Sequence, residues 1–331
     1  MNAEELKALG RQAGLDAIGI ASAEPFLATR QHLHERRAAG LHGGMNFTYR
    51  NPERSTDPSR ALAGAKSIVV GARSYPPPSS SYRGARVAAY ATDDHYGALR
   101  AALGVVAAEL ESDGWATRVL VDDNALVDRE AAHRAGIGWY GKSTNMLLPG
   151  RGSWFVLGSV LTDASLPVDA PLEDGCGSCR RCLDGCPTGA IVAPGVVDAR
   201  RCLSWLLQAR GDFPVEFRVA LGDRIYGCDD CQEVCPPNRR GAPTNADVGD
   251  GVDIVELLGA DDDTLLARHG RWYIADRDPR YLRRNALVVL GNTASPRDTA
   301  AHAVLERYRT GADPMLRSHA EWAADRIAAR A

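Results

Sequence analysis

All eight cysteines of this 331-residue chain fall between positions 176 and 235. Seven of them form two arrays, Cys176-x-x-Cys179-x-x-Cys182-x-x-x-Cys186-Pro187 and Cys228-x-x-Cys231-x-x-x-Cys235-Pro236. The first array has the spacing with which bacterial ferredoxins hold a four-iron cluster. The second lacks its first cysteine, since Ile225 stands there, and Cys202 can supply that ligand. The chain therefore has eight ligands for two 4Fe-4S clusters, which indicates electron transfer.

The spacing also predicts which cysteines share a cluster. Cysteines three residues apart reach one cluster, whereas the cysteine before proline ligates the other. We therefore predict two quartets: Cys176, Cys179, Cys182 and Cys235 in quartet A, and Cys186, Cys202, Cys228 and Cys231 in quartet B. Structural zinc sites are the alternative, because C-x-x-C pairs also bind zinc. A disulfide framework is disfavoured, since nothing marks the chain as secreted.

Composition and charge narrow the class of protein. The hydrophobic fraction of 45% and the charged fraction of 24% are typical of a soluble globular chain. The first twenty residues show no signal peptide, and no apolar run is long enough to span a membrane. With reduced thiols, these features predict a cytoplasmic protein. A net charge of −3 gives the whole chain no general attraction for nucleic acid.

One segment is locally basic. Between positions 268 and 284 six arginines face two acids, Asp276 and Asp278. Such a patch can bind phosphates, or it can be a solvated helix face with salt bridges, and both interpretations stay open. The arginines are Arg268, Arg271, Arg277, Arg280, Arg283 and Arg284.

The order of patterns predicts three domains. Helical and strand patterns alternate over the first 165 residues, which predicts an α/β domain with helices covering a sheet at 1–170. A ferredoxin-type domain follows at 171–245, with a helix near 199–210 that carries Cys202. After a polar hinge at 241–251, residues 246–331 are predicted to form a helical domain. Its Arg283–Leu287 segment resembles part of a HEAT-type repeat.

A glycine-rich segment is the first candidate for binding a cofactor. No G-x-G-x-x-G follows a strand, so a Rossmann dinucleotide site is not supported. Gly136, Gly138 and Gly141 instead surround Trp139 and precede Lys142. Such glycines allow close approach of a large flat or anionic ligand, which Lys142 could meet. The alternative is a helix C-cap and turn with a solvated lysine.

Two further residues are candidates for the site. Asp122 follows the apolar strand 119–121, at the strand end where α/β folds place functional residues. It is the best candidate for a proton donor, although Asp122 could equally cap the next helix. His95 lies in Asp93-Asp94-His95-Tyr96-Gly97, which is not the D-x-H-x-x-G of corrinoid proteins with a histidine axial ligand. A surface or helix-capping histidine is the alternative.

Taken together, these motifs resemble the bacterial epoxyqueuosine reductases, which complete queuosine synthesis in tRNA. The similarity extends over nearly the whole chain. The segments that carry it are Val121-Asp122, Ala135–Lys142, Gly152–Gly158, Cys176–Ala190, Asp198–Cys202, Ile225–Pro236 and Arg283–Leu287. The chain departs from the family pattern at Ser204-Trp205-Leu206-Leu207-Gln208 and at Cys235-Pro236-Pro237-Asn238.

The resemblance implies a corrinoid-binding domain of the reductive-dehalogenase type, with base-off cobalamin between it and the ferredoxin-type domain. Electrons from an external low-potential donor would pass through the clusters, and Asp122 would protonate the departing epoxide oxygen. Gly136, Gly138, Trp139, Gly141, Lys142, Ser153 and His95 are then expected to contact cobalamin, and His95 is not expected to be its axial ligand. The anticodon loop of tRNA is the implied partner. A corrinoid reductase of small molecules and a non-enzymatic electron carrier are the other hypotheses.

Overall fold

The structure is a computed structural model that describes residues 2–47, 49–79, 81–239 and 248–330. The strands are β1 (Ala17–Ser22), β2 (Ser67–Ser74), β3 (Ser81–Arg83), β4 (Arg86–Val87), β5 (Thr117–Val121), β6 (Trp139–Tyr140), β7 (Met146–Leu147), β8 (Phe155–Thr162), β9 (Ile191–Ala193), β10 (Val196–Val197), β11 (Arg224–Tyr226) and β12 (Val248–Asp250). The helices up to the second array are α1 (Ala3–Gln12), α2 (Leu27–Ala38), α3 (Pro52–Ser55), α4 (His95–Ser112), α5 (Asp128–Arg134), α6 (Arg181–Asp184), α7 (Leu203–Leu206), α8 (Val215–Leu221), α9 (Asp230–Glu233) and α10 (Pro236–Arg239).

The remaining helices are α11 (Ile254–Gly259), α12 (Asp262–His269), α13 (Arg280–Thr293), α14 (Thr299–Arg309) and α15 (Pro314–Ala328). Short 3-10 turns occur at Pro58–Arg60, Ala89–Ala91 and Ala275–Arg277. None of the helices in the described ranges is both long and apolar enough to cross a lipid bilayer.

A four-stranded sheet with the order β1-β2-β8-β5 forms the centre of the first domain. Side chains alternate between the two faces of a strand, so neighbouring residues of β2 enter different cores. Val69 packs with α1 and α4 on one face, whereas Ile68 and Val70 pack with α5 on the other. Helices thus cover both faces of the sheet, as the alternating pattern predicts.

The pairing within this sheet is antiparallel throughout. The strand-end argument for Asp122 holds for sheets whose parallel strands end at a common edge. Neighbouring strands here end at opposite edges, so the position of Asp122 at the end of β5 is not by itself evidence of a functional site. Its role has to be argued from its own surroundings.

The cysteine-bearing region is tied to the first domain by main-chain pairing. β11 pairs in parallel with β4, and Arg224 and Tyr226 lie opposite Arg86 and Val87. The predicted helix at 199–210 is wrong in its extent, because α7 covers only Leu203–Leu206. Cys202 is the N-cap residue of that helix and has extended backbone angles. Its thiol therefore belongs to a loop, as the cysteines of cluster sites commonly do.

The C-terminal helices share a core with the cysteine-bearing region. α13 and α14 both pack against α15. The same buried cluster includes Phe213, Leu221 and Ile225 together with Leu287 of α13. The polar hinge falls largely in 241–247, outside the described residues. The three domain boundaries and the HEAT-like character of the C-terminal helices stay predictions.

The arginine-rich segment divides into two kinds of residue. Arg284 is fully buried, and its guanidinium donates to the carbonyl oxygens of Ala209 (2.7 Å), Gly211 (2.6 Å) and Leu206 (3.0 Å). Three others form salt bridges: Arg268 with Glu256, Arg280 with Asp278 and Asp313, and the largely buried Arg283 with Asp262. The salt-bridge interpretation is correct for these three, and the phosphate interpretation is wrong for Arg284. Arg271 and Arg277 are exposed.

Candidate active site and cluster-binding region

The eight thiols are unbridged and partly buried. Their mutual electrostatic effects show how they group. Burial raises the pKa of Cys235 to about 11, and the thiols that add to the rise are Cys176, Cys182 and Cys179. Burial also raises the pKa of Cys231 well above its usual value, with further contributions from Cys228, Cys202 and Cys186. The structure therefore brings the members of quartet A near one another and the members of quartet B near one another, and the ligation of one cluster by each quartet stays a prediction.

The grouping suits clusters better than single metal ions. Within the described ranges, which include all eight cysteines, no three His, Cys, Asp or Glu side chains lie close enough to hold one metal ion. A tetrahedral zinc site needs four thiolates within about 2.3 Å of one atom. A four-iron cluster keeps its thiolates further apart, because each binds a different iron. The donor sets thus fit two 4Fe-4S clusters.

Quartet B accepts hydrogen bonds from two different sources. The backbone N–H of Ala190 donates to Cys186 Sγ at 3.2 Å. The side-chain amide of Asn145, which belongs to the first domain, lies 3.6 Å from Cys231 Sγ. The sequence did not identify Asn145 as a site residue, although it follows the Gly-Lys-Ser-Thr segment directly.

The glycines of the 136–141 segment are required by the packing of the chain itself. Gly136 has a φ of +65° after the end of α5, and a Cβ there would lie 2.3 Å from the carbonyl oxygen of Ala170. A Cβ at Gly138 would lie 2.6 Å from the carbonyl oxygen of Leu147. Gly141 donates its N–H to the carbonyl of Asn145 at 2.8 Å in the turn between β6 and β7. The C-cap and turn interpretation therefore explains these glycines without a ligand.

Lys142 has protein partners rather than a free cation. Its Nζ donates to the carbonyl oxygens of Gly177 (2.5 Å) and Cys179 (3.0 Å). Both carbonyls belong to the loop that supplies quartet A. The solvated-lysine interpretation is therefore wrong, and the cation stabilises a cluster loop. Trp139, three positions before Lys142, packs its ring against Gly175. A Cβ at position 175 would lie 2.8 Å from that ring.

Ser153 lies at the junction of the sheet domain and the second array. Its hydroxyl bonds to Gln232 Oε1 at 2.9 Å, and its N–H donates to Asn238 Oδ1 at 2.6 Å. Asn238 Nδ2 donates back to the Ser153 hydroxyl at 2.8 Å. Gln232 and Asn238 were missed from the sequence, although they flank Cys235. Lys142 and Ser153 thus bind the first domain to both cysteine arrays.

Asp122 has a conformation and an environment of its own. It follows β5 with a φ of +51°, in the left-handed region that is uncommon for residues other than glycine. The preceding carbonyl, of Val121, accepts a hydrogen bond from Arg100 Nη2 at 2.7 Å. Burial raises the pKa of Asp122, Arg100 opposes the rise and Asp123 adds to it. The capping alternative is wrong, because α5 begins at Asp128 after the N-cap Val127.

A second acid lies near Asp122. Asp128 has a buried Oδ1 without a hydrogen-bond partner among the described residues. Burial raises the pKa of Asp128 to about 8, and the charge of Asp122 adds to the rise. At neutral pH Asp128 is therefore mainly protonated. Asp128 is the first residue of α5, so the sequence did not distinguish it from an ordinary helix-start acid.

His95 begins α4, and its helix is capped by the neighbouring Asp94, whose side chain accepts the N–H of Gly97 at 2.9 Å. The capping alternative for His95 is therefore wrong. Its ring stacks on Tyr75 with centroids 5.1 Å apart. Burial lowers the pKa of His95, so the imidazole is mostly neutral at pH 7.

Several buried polar atoms of this region have no hydrogen-bond partner among the described residues. They are His95 Nε2, Trp139 Nε1, Trp154 Nε1 and Asp128 Oδ1. Buried polar atoms without partners are uncommon, and an absent ligand is one of the explanations for them. A large cofactor with amide side chains could supply partners to them, so the residues present fit a corrinoid.

Comparison with known proteins identifies the family. Residues 175–238 match the model of the 4Fe-4S double cluster binding domain. Over an alignment of 347 positions the chain is 33% identical to the epoxyqueuosine reductase of Bacillus anthracis, covering 99% of this chain and 90% of that protein. The chain belongs to the epoxyqueuosine reductase family. It is accordingly an oxidoreductase.

Solved structures agree with this assignment. A crystal structure of epoxyqueuosine reductase with an epoxyqueuosine-modified tRNA-Tyr stem loop matches with a TM-score of 0.88 at 32% identity, over 98% of this chain and 89% of that one. A catabolic reductive dehalogenase matches with a TM-score of 0.50 at 23% identity, over 72% of this chain and 32% of that one. The second match shows a shared fold alone. The predicted relation to the dehalogenase fold and the double-cluster domain are thus confirmed.

Proposed function

We propose that this chain reduces epoxyqueuosine to queuosine at the wobble position of tRNA, with electrons that pass through two 4Fe-4S clusters to base-off cobalamin. The observation that carries the proposal is the junction between the domain of Asp122 and two complete cysteine quartets. Lys142 and Ser153 hold that junction together. The family to which the chain belongs, and its similarity to a reductase solved with a modified tRNA stem loop, support the substrate.

The reaction needs electrons, protons and a leaving oxygen. Both C–O bonds of the epoxide break, a C=C bond forms, and two electrons and two protons convert the oxygen to water. Cobalamin, when bound, supplies the reducing chemistry. The protein holds the modified nucleobase and delivers a proton to the departing oxygen. Asp122 is suited to that step, because a carboxyl whose pKa is raised retains a proton closer to neutral pH.

Some of the proposed site residues would contact the cofactor, and the others would hold the surrounding protein in place. His95 and Trp139 would contact the cofactor through their unpartnered ring nitrogens. Gly136, Gly138 and Gly141 would shape the hairpin that the antiparallel strands β6 and β7 form. Lys142 and Ser153 would fix this hairpin to the cysteine arrays. The protonated carboxyl of Asp128 would add no negative charge beside Asp122.

The partners follow from the same proposal. The anticodon loop is single-stranded, so its wobble base can leave the stack and enter a pocket. Arg271 and Arg277 are exposed residues of the basic segment and would contact its phosphates. An external low-potential donor would reduce the clusters. A tRNA substrate and unbridged thiols support a cytoplasmic location.

The test is anaerobic turnover of the cluster-loaded protein on tRNA that carries epoxyqueuosine, with and without cobalamin, followed by mass spectrometry of the nucleosides. We expect cobalamin-dependent loss of one oxygen. A protein that holds both clusters and cobalamin but leaves the nucleoside unchanged would contradict the proposal. Activity on small-molecule substrates would then favour a dehalogenase-like reductase, whereas electron transfer without cobalamin would favour a carrier.

A further inference from the structure

One tight turn of the first domain contacts both cluster-binding regions. The turn comprises residues 141–145, between β6 and β7. Lys142 Nζ donates to two carbonyls of the quartet A loop. Asn145 Nδ2 lies 3.6 Å from Cys231 Sγ of quartet B. The lysine contacts the main chain only, so Asn145 is the residue of this turn that acts on a cluster ligand directly.

The backbone of the turn leaves Asn145 little freedom. The carbonyl of Asn145 accepts the N–H of Gly141 at 2.8 Å, and Thr144 donates its own N–H to the Gly141 carbonyl at 2.9 Å. Thr144 has a φ of +70°, and its carbonyl accepts a hydrogen bond from Arg129 Nη1 at 3.1 Å. The backbone of Asn145 is therefore held in place by hydrogen bonds of the protein itself.

The direction of the electrostatic effect follows from the charges. A thiolate that ligates iron can only accept a hydrogen bond, so the amide nitrogen is the atom that faces it. An added electron increases the negative charge on the cluster and its sulfurs. An N–H donor stabilises that charge and makes the cluster easier to reduce. Asn145 and Cys231 are both partly buried, and reduced contact with water strengthens the hydrogen bond.

We propose that Asn145 is a positioning residue for electron transfer, which raises the reduction potential of the quartet B cluster relative to that of the quartet A cluster. The hydrogen bond comes from the domain that carries Asp122. The hairpin that faces the proposed cofactor therefore also sets the potential of one electron donor. The inference depends on the two-cluster assignment but not on the identity of the substrate.

The test is an anaerobic redox titration of both clusters, monitored by electron paramagnetic resonance, in the wild type and two variants. Asn145→Asp keeps the shape of the side chain but replaces the donor with a carboxylate oxygen. Asn145→Ala removes the donor alone. We expect the quartet B potential to become more negative in both variants, further for Asn145→Asp. The quartet A potential should stay at the wild-type value.

Two controls make the result specific. Cys202→Ala, which lacks a quartet B ligand, identifies the signal that belongs to each cluster. Ser143→Ala alters the same turn, at a hydroxyl that accepts the N–H of Asn145 at 3.4 Å, and should shift neither potential. Iron content of the Asn145 variants must equal that of the wild type. If Asn145→Ala does not assemble both clusters, the reduction potentials of the isosteric variant Asn145→Asp decide the test.

Unchanged potentials in the fully loaded variants would overturn the proposal. Equal shifts of both clusters would overturn it too, because they would indicate a loosened turn rather than a hydrogen bond to one cluster. The potentials are read without tRNA. A failure of the proposed reaction would therefore leave this result unaffected, and the two failures can be distinguished.

Discussion

The two cysteine arrays and the hairpin beside them differ in how directly their residues can be interpreted. The arrays hold eight residues of one chemistry at spacings that a cluster imposes, and the structure groups them into the predicted quartets. The hairpin holds glycines and a lysine, whose possible partners are many. There the structure turns Lys142 to the quartet A loop and fits Gly138 against Leu147. Ligand spacing therefore predicts contacts well, whereas glycines and single charges depend on the fold.

The strongest test of the first region removes one ligand of quartet B. Cys202→Ala is expected to lose that cluster and about half of the iron per chain, because no other cysteine is left to replace the ligand. Turnover should fall to background, since the electron path is broken. Iron and sulfide analysis of the anaerobic protein measures the loss. Retention of full iron would contradict the quartets, and Cys176→Ala should remove the other cluster instead.

The next test concerns Asp122, which follows β5 and lies outside the hairpin. Asp122→Asn should keep both clusters and lower turnover about 10²–10⁴-fold, the usual contribution of a positioned proton donor. In the wild type turnover should fall as pH rises through the raised pKa of Asp122, because the protonated form is the donor. Single-turnover rates across pH measure both effects.

Asp123, the neighbour of Asp122, provides the control for the Asp122→Asn test. Asp123 Oδ1 accepts the N–H of Ala125 at 2.8 Å and so belongs to the turn before α5. Asp123→Asn keeps an oxygen that can accept this bond and should change turnover only slightly. An equal loss from both substitutions would mean that the charge of the loop matters, rather than proton donation by Asp122.

A third test compares two arginines that the sequence could not tell apart. Arg284→Met should lower the free energy of unfolding by about 3–5 kcal/mol, because it leaves several buried carbonyls without a donor. Arg268→Ala should cost less than about 1 kcal/mol, since its salt bridge with Glu256 is exposed. Thermal melting under anaerobic conditions measures both. Equal costs would contradict the division of the basic segment.

These two arginines show where sequence reasoning ends. The grouping of the cysteines and the covered sheet follow from spacing and periodicity, whereas the strand-end argument for Asp122 fails because the sheet is antiparallel. The burial of Arg284 depends on carbonyls near residue 209, some 75 positions earlier, which no local pattern reveals. Ser153 likewise meets Asn238 across 85 positions. The same limit hid Asn145, because its partner Cys231 is brought close only by the packing of the two domains.

The last test concerns Asp128, which the sequence could not distinguish from Asp123. Its pKa is about 8 in the folded protein and about 3.9 in an unfolded chain. The folded state thus keeps a proton that the unfolded state releases between these values. The stability contribution is fully present below about pH 4 and is lost as pH rises towards 8, by at most about 1.4 kcal/mol per pH unit.

Asp128→Asn cannot titrate, so this part of the pH dependence should disappear from its unfolding free energy. The stability of the variant relative to the wild type should rise between pH 5 and pH 7, even if the amide fits less well at every pH. Asp122→Asn should reduce the slope of the wild type without abolishing it, because the charge of Asp122 contributes only part of the rise in the pKa of Asp128. Parallel curves for Asp128→Asn and the wild type would mean that Asp128 is ionised in the folded protein, and the acid beside Asp122 would then be a second negative charge.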